Sequence, residues 1–352
     1  MTQIKIFDSF GVELETENID GESEIPERLG RNFSRHPDAS IETDKFTGRK
    51  LLFNRQLKPT FKKKTVGTEF VSKILDIESP DSLESIRKLT DYLTEYGESF
   101  ESFRAGIHVH INFGGYNLNI LKNVMRLARL YEPVFFYLGT MGYKFRGIDN
   151  DSIYCRPITQ FGPVIVNSYN GKIQSFNVDD LLLAKSTEDF WYRYGAIIEN
   201  NPPNKYNPIR YNWITLYNLL TKGTVEFRVF NKSLNPDYIL AMVDICKNFS
   251  QRSFDSDMVE DVENSIYTTN KIETMNLFYQ MVDDLNISQK TTKIASFILK
   301  TAPEINFPKE YCYTHLRNYS FPIDSDREYS FRKITEHVKT PDYVDIHTLR
   351  GE

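Results

Sequence analysis

Three glutamates alternate along a short stretch near the N-terminus, FGVELETEN at residues 10–18. Glu13, Glu15 and Glu17 would share one face of a β-strand, because successive strand side chains point to opposite faces and the apolar Phe10, Val12 and Leu14 occupy the alternate positions. Carboxylate oxygens are typical ligands of Mg²⁺ and Mn²⁺. An amphipathic strand with solvated glutamates would show the same pattern, so the stretch predicts a strand and leaves its chemistry open.

A second strand-like pattern carries imidazoles in place of carboxylates. AGIHVHINF, at residues 105–113, places His108, His110 and Asn112 on one face and apolar side chains on the other. Alternate residues of a strand lie roughly 7 Å apart, so the two imidazoles could line one metal or substrate pocket. Histidines satisfied by hydrogen bonds in a core are the alternative interpretation.

A third pattern combines a carboxylate with a guanidinium. In GTVEFRVFN, residues 223–231, Glu226 and Arg228 alternate with apolar residues that continue through Val229, which predicts another strand. A surface ion pair of little energetic weight would by itself explain the two charges. Glu69 lies in a further strand-like run, VGTEFVSKIL, whose alternation is less regular.

The clearest of these strands share one design, with an apolar face and a face of ionisable side chains. If the second faces line a single concave antiparallel sheet, Arg228 alone opposes four carboxylates: Glu13, Glu15, Glu69 and Glu226. Two carboxylates about 7 Å apart repel by about 2 kcal/mol at an effective dielectric constant near 20. Bound divalent cations would remove this cost. Because Mg²⁺ usually binds together with substrate phosphates, we expect a nucleotide beside Arg228.

The composition indicates a folded protein with helices and strands and without a polyanionic partner. The 352 residues are 40% hydrophobic and 14% aromatic, which is enough to bury a core. The net charge of −5 gives no basic field for general nucleic-acid binding. The sequence has no apolar run of membrane-spanning length and no signal-peptide pattern at its N-terminus, so we expect no membrane association and a cytoplasmic location.

Helical periodicity and end signals predict helices at residues 80–96, 117–138, 236–250 and 270–285. Pro133 is expected to divide the second of these, because proline lacks a backbone N–H and clashes with the preceding turn. Roughly the last 50 residues contain several prolines and are expected to be irregular.

The order of the motifs resembles the putative amidoligase family, carboxylate-amine ligases related to glutamine synthetase and glutamate-cysteine ligase. The resemblance spans residues 5–250 and is carried by FGVELETE, DAS at 38–40, GTEFVS at 67–72, GIHVHIN at 106–112 and TVEFRVFN at 224–231. It implies an α+β fold, in which a curved antiparallel sheet forms an open, glutamine-synthetase-like funnel with helices packed on its outer face. It also implies bound ATP and two or three Mg²⁺ or Mn²⁺ ions between ATP and the acceptor carboxylate.

The resemblance also implies roles for individual residues. The implied metal ligands are Glu13, Glu15, Glu69, His108 and Glu226. The residues implied to bind the nucleotide with its ions are Arg228, Glu13, Glu15 and His108. Catalysis would depend on Arg228, Glu226 and His110. The implied reaction transfers the γ-phosphate of ATP to a carboxylate, and an amine then displaces the phosphate to form an amide or isopeptide bond.

The substrates are expected to be small molecules or peptides that carry a carboxylate and an amine. Arg156, Arg210 and Asn112 are the candidates for holding them, since arginines often bind substrate carboxylates. Two departures from the family pattern bear on substrate pockets: Lys73 stands where a proline is common, and Thr215 stands in place of an asparagine before the EFR strand.

We expect residues 1–300 to form the catalytic domain, with a loop-rich insertion at residues 150–210 over the site. Residues 301–352 are expected to form a largely irregular C-terminal extension.

Three other function classes fit parts of the pattern. A metal-dependent hydrolase could use the HxH strand with the glutamates, although the other four histidines form no evident ligand set. A catalytically inactive nucleotide-binding module could keep the scaffold, although it would have no reason to keep repelling charges. A guanidino-phosphotransferase could share a related fold, but the HxH strand argues against it.

Overall fold

The computed structural model describes the chain in separate ranges. These are residues 6–17, 19, 25–38, 67–96, 98, 101–139, 155, 157–158, 164–166, 173–175, 178–196, 208–255, 271–302 and 343–345.

Seven of the described strands form one open sheet, in which neighbouring strands are antiparallel. The strands in chain order are β1 (Ser9–Thr16), β2 (Phe33–Pro37), β3 (Thr68–Ser72), β4 (Leu75–Asp76), β5 (Glu101–Asn112), β6 (Gly115–Asn117), β7 (Val164–Val166), β8 (Ile173–Ser175), β9 (Ile214–Thr215), β10 (Thr224–Ser233) and β11 (Tyr343–Asp345). The order across the sheet is β2-β3-β1-β5-β10-β9, and β4 pairs with the start of β1. The long strand β5 therefore lies between the strand of the glutamates and the strand of Arg228.

The described helices are α1 (Glu27–Gly30), α2 (Pro80–Glu95), α3 (Leu118–Gly139), α4 (Val178–Leu182), α5 (Thr187–Tyr194), α6 (Pro236–Arg252), α7 (Lys271–Asp284) and α8 (Gln289–Thr301). The Ser79 side chain caps α2, and the Asn235 side chain caps α6, by accepting hydrogen bonds from backbone N–H groups of the first turn. A proline follows each cap, in the position where its missing N–H costs nothing. Both helices begin at the predicted residue. None of the described helices combines the length and the apolarity needed to cross a lipid bilayer.

Helices α3 and α6 pack against the apolar face of the sheet. The ring of Phe227 in β10 lies 5.8 Å from Phe135 of α3 and 5.4 Å from Phe249 of α6. Val12 and Val109, on the neighbouring strands, are fully buried. The ionisable side chains that alternate with them therefore point to the opposite face. The predicted combination of helices with an antiparallel sheet is confirmed, and the sheet is not closed.

Helix α3 is continuous through Pro133, so the prediction that this proline divides the helix is wrong. An internal proline costs about 3 kcal/mol. The five residues after it, 134–138, are all fully buried. Since burial of one large apolar side chain contributes about 1.5–3 kcal/mol, packing of this turn outweighs the cost of the proline.

Strand β10 departs from regular alternation at Arg228 and Val229. Its pairing with β5 shifts between Phe227 and Phe230, so two residues of β10 lie opposite one residue of β5. Gly139, at the end of α3, lies so close to this bulge that a Cβ there would be 2.3 Å from the Val229 carbonyl oxygen. The predicted alternation through Val229 is therefore interrupted, and Phe230 is the next residue that pairs with β5.

Within the segment 150–210, the described residues include two strands and two short helices. Strands β7 and β8 pair in the antiparallel direction, and α4 and α5 come next in the chain. The Ser186 side chain caps α5, and Gly195 ends it in the left-handed conformation with φ of 75°. Both end signals are present in the sequence. Beyond α8, only the short strand β11, which pairs with β6, lies within the described residues.

Candidate active site

Strands β1, β5 and β10 bring together residues from three distant parts of the chain. Their pairing places Glu13 opposite His108, and His110 opposite Glu226. Paired residues on adjacent strands point to the same face, so these carboxylates and imidazoles form one group. All four residues are buried, with at most 8% of their surface exposed.

The imidazole nitrogens lie at contact distance from several carboxylates. His108 Nδ1 is 3.1 Å from Glu13 Oε2 and 3.5 Å from Glu226 Oε1. His108 Nε2 is 3.4 Å from Glu15 Oε1. His110 Nε2 is 3.0 Å from Glu13 Oε1 and 3.9 Å from Glu226 Oε1. Each imidazole of β5 therefore connects carboxylates of the two neighbouring strands.

Burial and neighbouring charges determine the protonation of the group. Burial alone would raise the pKa of Glu13, but the charge of His110 and the hydrogen bonds of both imidazoles hold that pKa well below its usual value. Burial also opposes ionisation of Glu226, yet Arg228 lowers the Glu226 pKa to about 2. Burial and the charge of Arg228 lower the pKa of His108. Ionised carboxylates and a neutral imidazole are the forms that ligate a metal.

Glu13, His110 and Glu226 fit a divalent cation. One potential ligand atom from each lies within 4.8 Å of the other two. His110 Nδ1 lies 3.3 Å from the hydroxyl of Thr224, which directs Nε2 towards the carboxylates. The Nε2 atom is buried and makes no aligned hydrogen bond, although Glu13 Oε1 is close. A cation between these atoms would satisfy the nitrogen and offset the repulsion between the carboxylates.

Glu15 and Glu69 lie on the β3 side of this group, where they pair across β1 and β3. Glu15 accepts a hydrogen bond from the Gly106 N–H at 2.7 Å. Burial and the charges of Glu13, Asp38 and Glu15 raise the pKa of Glu69 to about 8. Without a cation, Glu69 is therefore protonated at neutral pH, and a cation bound to it would displace that proton.

Arg228 enters the group from the bulge of β10. Its guanidinium pairs with Glu226, and its Cζ lies 5.9 Å from the ring centroid of Tyr211. Its backbone N–H donates a hydrogen bond to the Trp213 carbonyl at 2.7 Å. Only 6% of the residue is exposed. The bulge thus holds a buried positive charge beside the carboxylates.

Two residues that had no pattern in the sequence also contact the group. Asn218 donates a hydrogen bond to Glu226 Oε2 at 2.5 Å, and Lys222 Nζ lies 3.5 Å from Glu13 Oε1. Asn218 lies in the short 3₁₀ helix Tyr217–Leu220 and Lys222 just after it, between β9 and β10, where the sequence shows no strand periodicity. Thr215, which stands in place of the family's asparagine, lies opposite Glu226. The amide that contacts this carboxylate comes instead from Asn218, three residues further along the chain.

A cavity of about 220 Å³ opens beside Glu13 and His110, and Asn112 lines it. This places Asn112, one of the predicted substrate residues, next to the candidate metal ligands. Arg210 is partly buried in the turn that precedes β9, on the same turn as Tyr211. Arg156 lies outside the described residues.

Glu17 belongs to a second charged group and not to the candidate site. Lys232 Nζ pairs with Glu98 and lies 3.4 Å from Glu17 Oε2. The Glu17 N–H donates a hydrogen bond to Glu98 Oε1 at 3.1 Å. Lys232 is completely buried. These three residues form the ion-pair cluster (Glu17, Glu98 and Lys232).

Comparison with known proteins agrees with the motifs. A family model described as "Putative amidoligase enzyme" matches residues 5–250. No curated protein matches the chain. Among solved structures, the chain is similar to a bifunctional glutathione synthetase from Pasteurella multocida, with 12% identity and a TM-score of 0.41 over 97% of this chain and 52% of that one. The chain therefore spans about half the length of that protein.

Proposed function

The chain belongs to the putative amidoligase family, and from this premise we propose that it is an ATP- and Mg²⁺-dependent carboxylate-amine ligase. The observation that carries the proposal is the convergence of Glu13, His108, His110, Glu226 and Arg228 on the open face of one sheet, within contact distance of one another. We also propose that the site as a whole has the form of a glutamine-synthetase-like funnel.

The acidic and imidazole side chains would hold two or three Mg²⁺ or Mn²⁺ ions. Glu13, His110 and Glu226 are the best supported ligands of one ion, because their ligand atoms lie so close together. The proposal retains His108, Glu15 and Glu69 as further metal ligands. Bound ions would supply positive charge for the phosphates of ATP and compensate the carboxylates that otherwise repel each other.

The protein's own residues position and neutralise the reacting groups. Arg228 would compensate the charge on the phosphoryl group during its transfer. Its pairing with Glu226 and its contact with Tyr211 fix the guanidinium before substrate binds. Asn218 fixes Glu226 in turn, so the guanidinium need not reorganise during the reaction.

The chemistry takes place in two steps. An oxygen of the substrate carboxylate attacks the γ-phosphorus of ATP, the bond to the β-phosphate oxygen breaks, and ADP leaves. The nitrogen of the amine then attacks the acyl carbon, the bond from that carbon to the phosphate oxygen breaks, and the amine loses a proton. The products are an amide or isopeptide, ADP and phosphate.

Incubation of the full chain with ATP, Mg²⁺ and pooled amino acids and amines tests the proposal. We expect ADP and a new amide in equal amounts, and ¹⁸O transfer from a labelled substrate carboxylate to phosphate. Glu226→Gln should reduce turnover by about 100-fold or more, because it removes a metal ligand and the partner of Arg228. Glu84→Gln, on the exposed surface of α2, is the matched control and should leave turnover unchanged.

Two outcomes would contradict the proposal. Cleavage of amides without ATP would indicate a metal-dependent hydrolase. Binding of ATP without ADP formation, across the whole substrate pool, would indicate an inactive nucleotide-binding module.

A further inference from the structure

The cavity beside Glu13 and His110 has a chemical character that the ligase reaction alone does not require. Its volume is about 220 Å³, and a water molecule takes about 30 Å³ of the liquid, so it accommodates a small molecule of several water-sized groups. It is smaller than the roughly 300–1,000 Å³ typical of drug-sized ligands. A short acid fits this space, and a long peptide segment does not.

One end of the cavity borders the candidate metal site, since two of its three residues, Glu13 and His110, line the cavity. Glu13, His110 and Thr224 line it there, together with Asn112, whose amide donates a hydrogen bond to the Ser9 hydroxyl at 3.2 Å. A carboxylate that reacts with ATP must lie at this end, next to the residues that would hold the ions. This step rests on the proposed function.

The other wall of the cavity comes from the chain around the end of β3. Val71 and Ile74 contribute apolar side chains, and 69% of Ile74 is exposed although it is a large apolar residue. Between them, Lys73 is exposed and also lines the cavity. Its backbone N–H donates a hydrogen bond to the Asn32 carbonyl at 2.8 Å, which fixes where the side chain begins. Among the described residues, Lys73 has no carboxylate within ion-pair distance.

Lys222 lines the same cavity from the β10 side. Its ammonium group lies 3.5 Å from Glu13, and about half of its side chain is exposed. The cavity thus has Lys222 beside the candidate metal site and Lys73 on the wall that Val71 and Ile74 form. An ammonium group beside apolar surface favours an anion with an apolar body over a neutral ligand.

We propose that this cavity binds the acceptor acid and that Lys73 recognises a second anionic group on it. The substrate class is then a small aliphatic acid with one carboxylate directed to Glu13 and His110 and another carboxylate, or a phosphate or phosphonate, paired with Lys73. Lys222, whose ammonium group lies 3.5 Å from Glu13, assists at the first carboxylate. Lys73 is a specificity-determining residue in this arrangement and takes no part in the chemical steps.

Isothermal titration of the full chain in Mg²⁺ tests this with matched pairs of acids: succinate and butyrate, glutarate and pentanoate, adipate and hexanoate. We expect at least one dicarboxylate to bind more tightly than its monocarboxylate partner. Lys73→Met should lower the affinity for that dicarboxylate by about fivefold and leave the affinity for the monocarboxylate unchanged. A phosphonate arm, 4-phosphonobutyrate, distinguishes a carboxylate from a phosphorus-containing second anion. Lys88→Met, at an exposed position of α2 that does not line the cavity, is the matched control.

A second variant locates the ligand without changing charge. A Cβ at Gly11 would lie 3.6 Å from His110 Cβ and 3.7 Å from Ser72 Oγ, which are ordinary contacts, so Gly11→Ala should fold normally. The added methyl group narrows the cavity at Gly11 and should lower the affinity for dicarboxylates and monocarboxylates alike. Unchanged binding in this variant would place the acids elsewhere and overturn the inference.

Failure of the inference and failure of the proposed function are distinguishable. If Lys73→Met weakens binding of Mg²⁺-ATP and leaves the dicarboxylates unaffected, the cavity belongs to the nucleotide and the inference is wrong. The same holds if monocarboxylates bind as tightly as dicarboxylates while the wild-type protein still forms amides. If instead dicarboxylates bind through Lys73 and no amide forms with any amine, the cavity assignment stands and the ligase proposal fails.

Discussion

Two buried charged groups lie along the same strands and differ in what surrounds them. At the centre of the sheet, Glu13 and Glu226 face the imidazoles of β5 beside an open cavity. Beyond the end of β1, the ion-pair cluster joins Glu17 and Glu98 to Lys232, which has no exposed surface. The first group contains Arg228 and is open to ligands through the cavity, whereas the second is closed around a lysine.

Charged residues that alternate along one strand can therefore belong to different groups, as Glu13 and Glu17 do. In the ion-pair cluster, Lys232 contacts both carboxylates and has no exposed surface, so the group is part of the buried fold. In the candidate site, several carboxylates lie beside Arg228, and the cavity lets a ligand reach Glu13 and His110. We therefore expect changes in the ion-pair cluster to affect stability, and changes in the candidate site to affect metal binding and turnover.

The largest effect on stability is expected for Lys232→Met. The substitution leaves Glu17 and Glu98 buried without their cation, which should lower the free energy of unfolding by about 3–5 kcal/mol. Urea denaturation measures this, with Lys293→Met on the exposed surface of α8 as the control. A loss below about 1 kcal/mol, as for a surface pair, would remove the contrast between the two groups.

Arg228→Lys should lower kcat by about 10²–10³-fold, because an ammonium group cannot present several fixed N–H donors to a phosphoryl group. The positive charge beside Glu226 is retained, so we expect the free energy of unfolding to change much less than in Lys232→Met. Steady-state kinetics and denaturation of the same samples separate these effects, with Arg87→Lys, at a partly exposed position of α2, as the control. Unchanged kcat together with a large loss of stability would make Arg228 a structural residue like Lys232.

The smallest effect concerns Glu69 and pH in the metal-free protein. Its folded pKa of about 8 lies above its unfolded value, so its contribution to stability is complete below about pH 4.5 and is lost as the pH rises towards 8. Glu69→Gln removes this pH-dependent loss of stability, because the glutamine amide does not ionise. The variant should match the wild type near pH 4.5 and exceed its free energy of unfolding by about 1–2 kcal/mol above pH 8, after allowance for screening by water.

Denaturation with a chelator present, at steps between pH 4.5 and 9, checks this expectation. Added Mg²⁺ should reduce the difference between the two proteins at high pH, because the cation compensates the ionised carboxylate. A difference between them that does not change with pH would mean that Glu69 is not forced to hold a proton by its neighbours.

Much of the fold could be predicted from local signals. The starts of α2 and α6 follow from a capping side chain and a proline, and these signals act within one helical turn. Pro133 shows the limit of such reasoning. Whether a proline breaks a helix depends on how much apolar surface the continued turn buries, and that surface is supplied by distant parts of the chain.

The sequence by itself determined that Glu13, His108, Glu226 and Arg228 belong to strands with one ionisable face, and the order of the motifs determined the family. Only the tertiary structure decided that Glu17 pairs with a lysine while Glu13 faces the imidazoles. It also decided that a bulge aims Arg228, and that an irregular segment supplies further contacts. The physical reason is that alternation is a local property of one strand, whereas electrostatic partners are set by pairing between strands that lie up to about 200 residues apart in sequence.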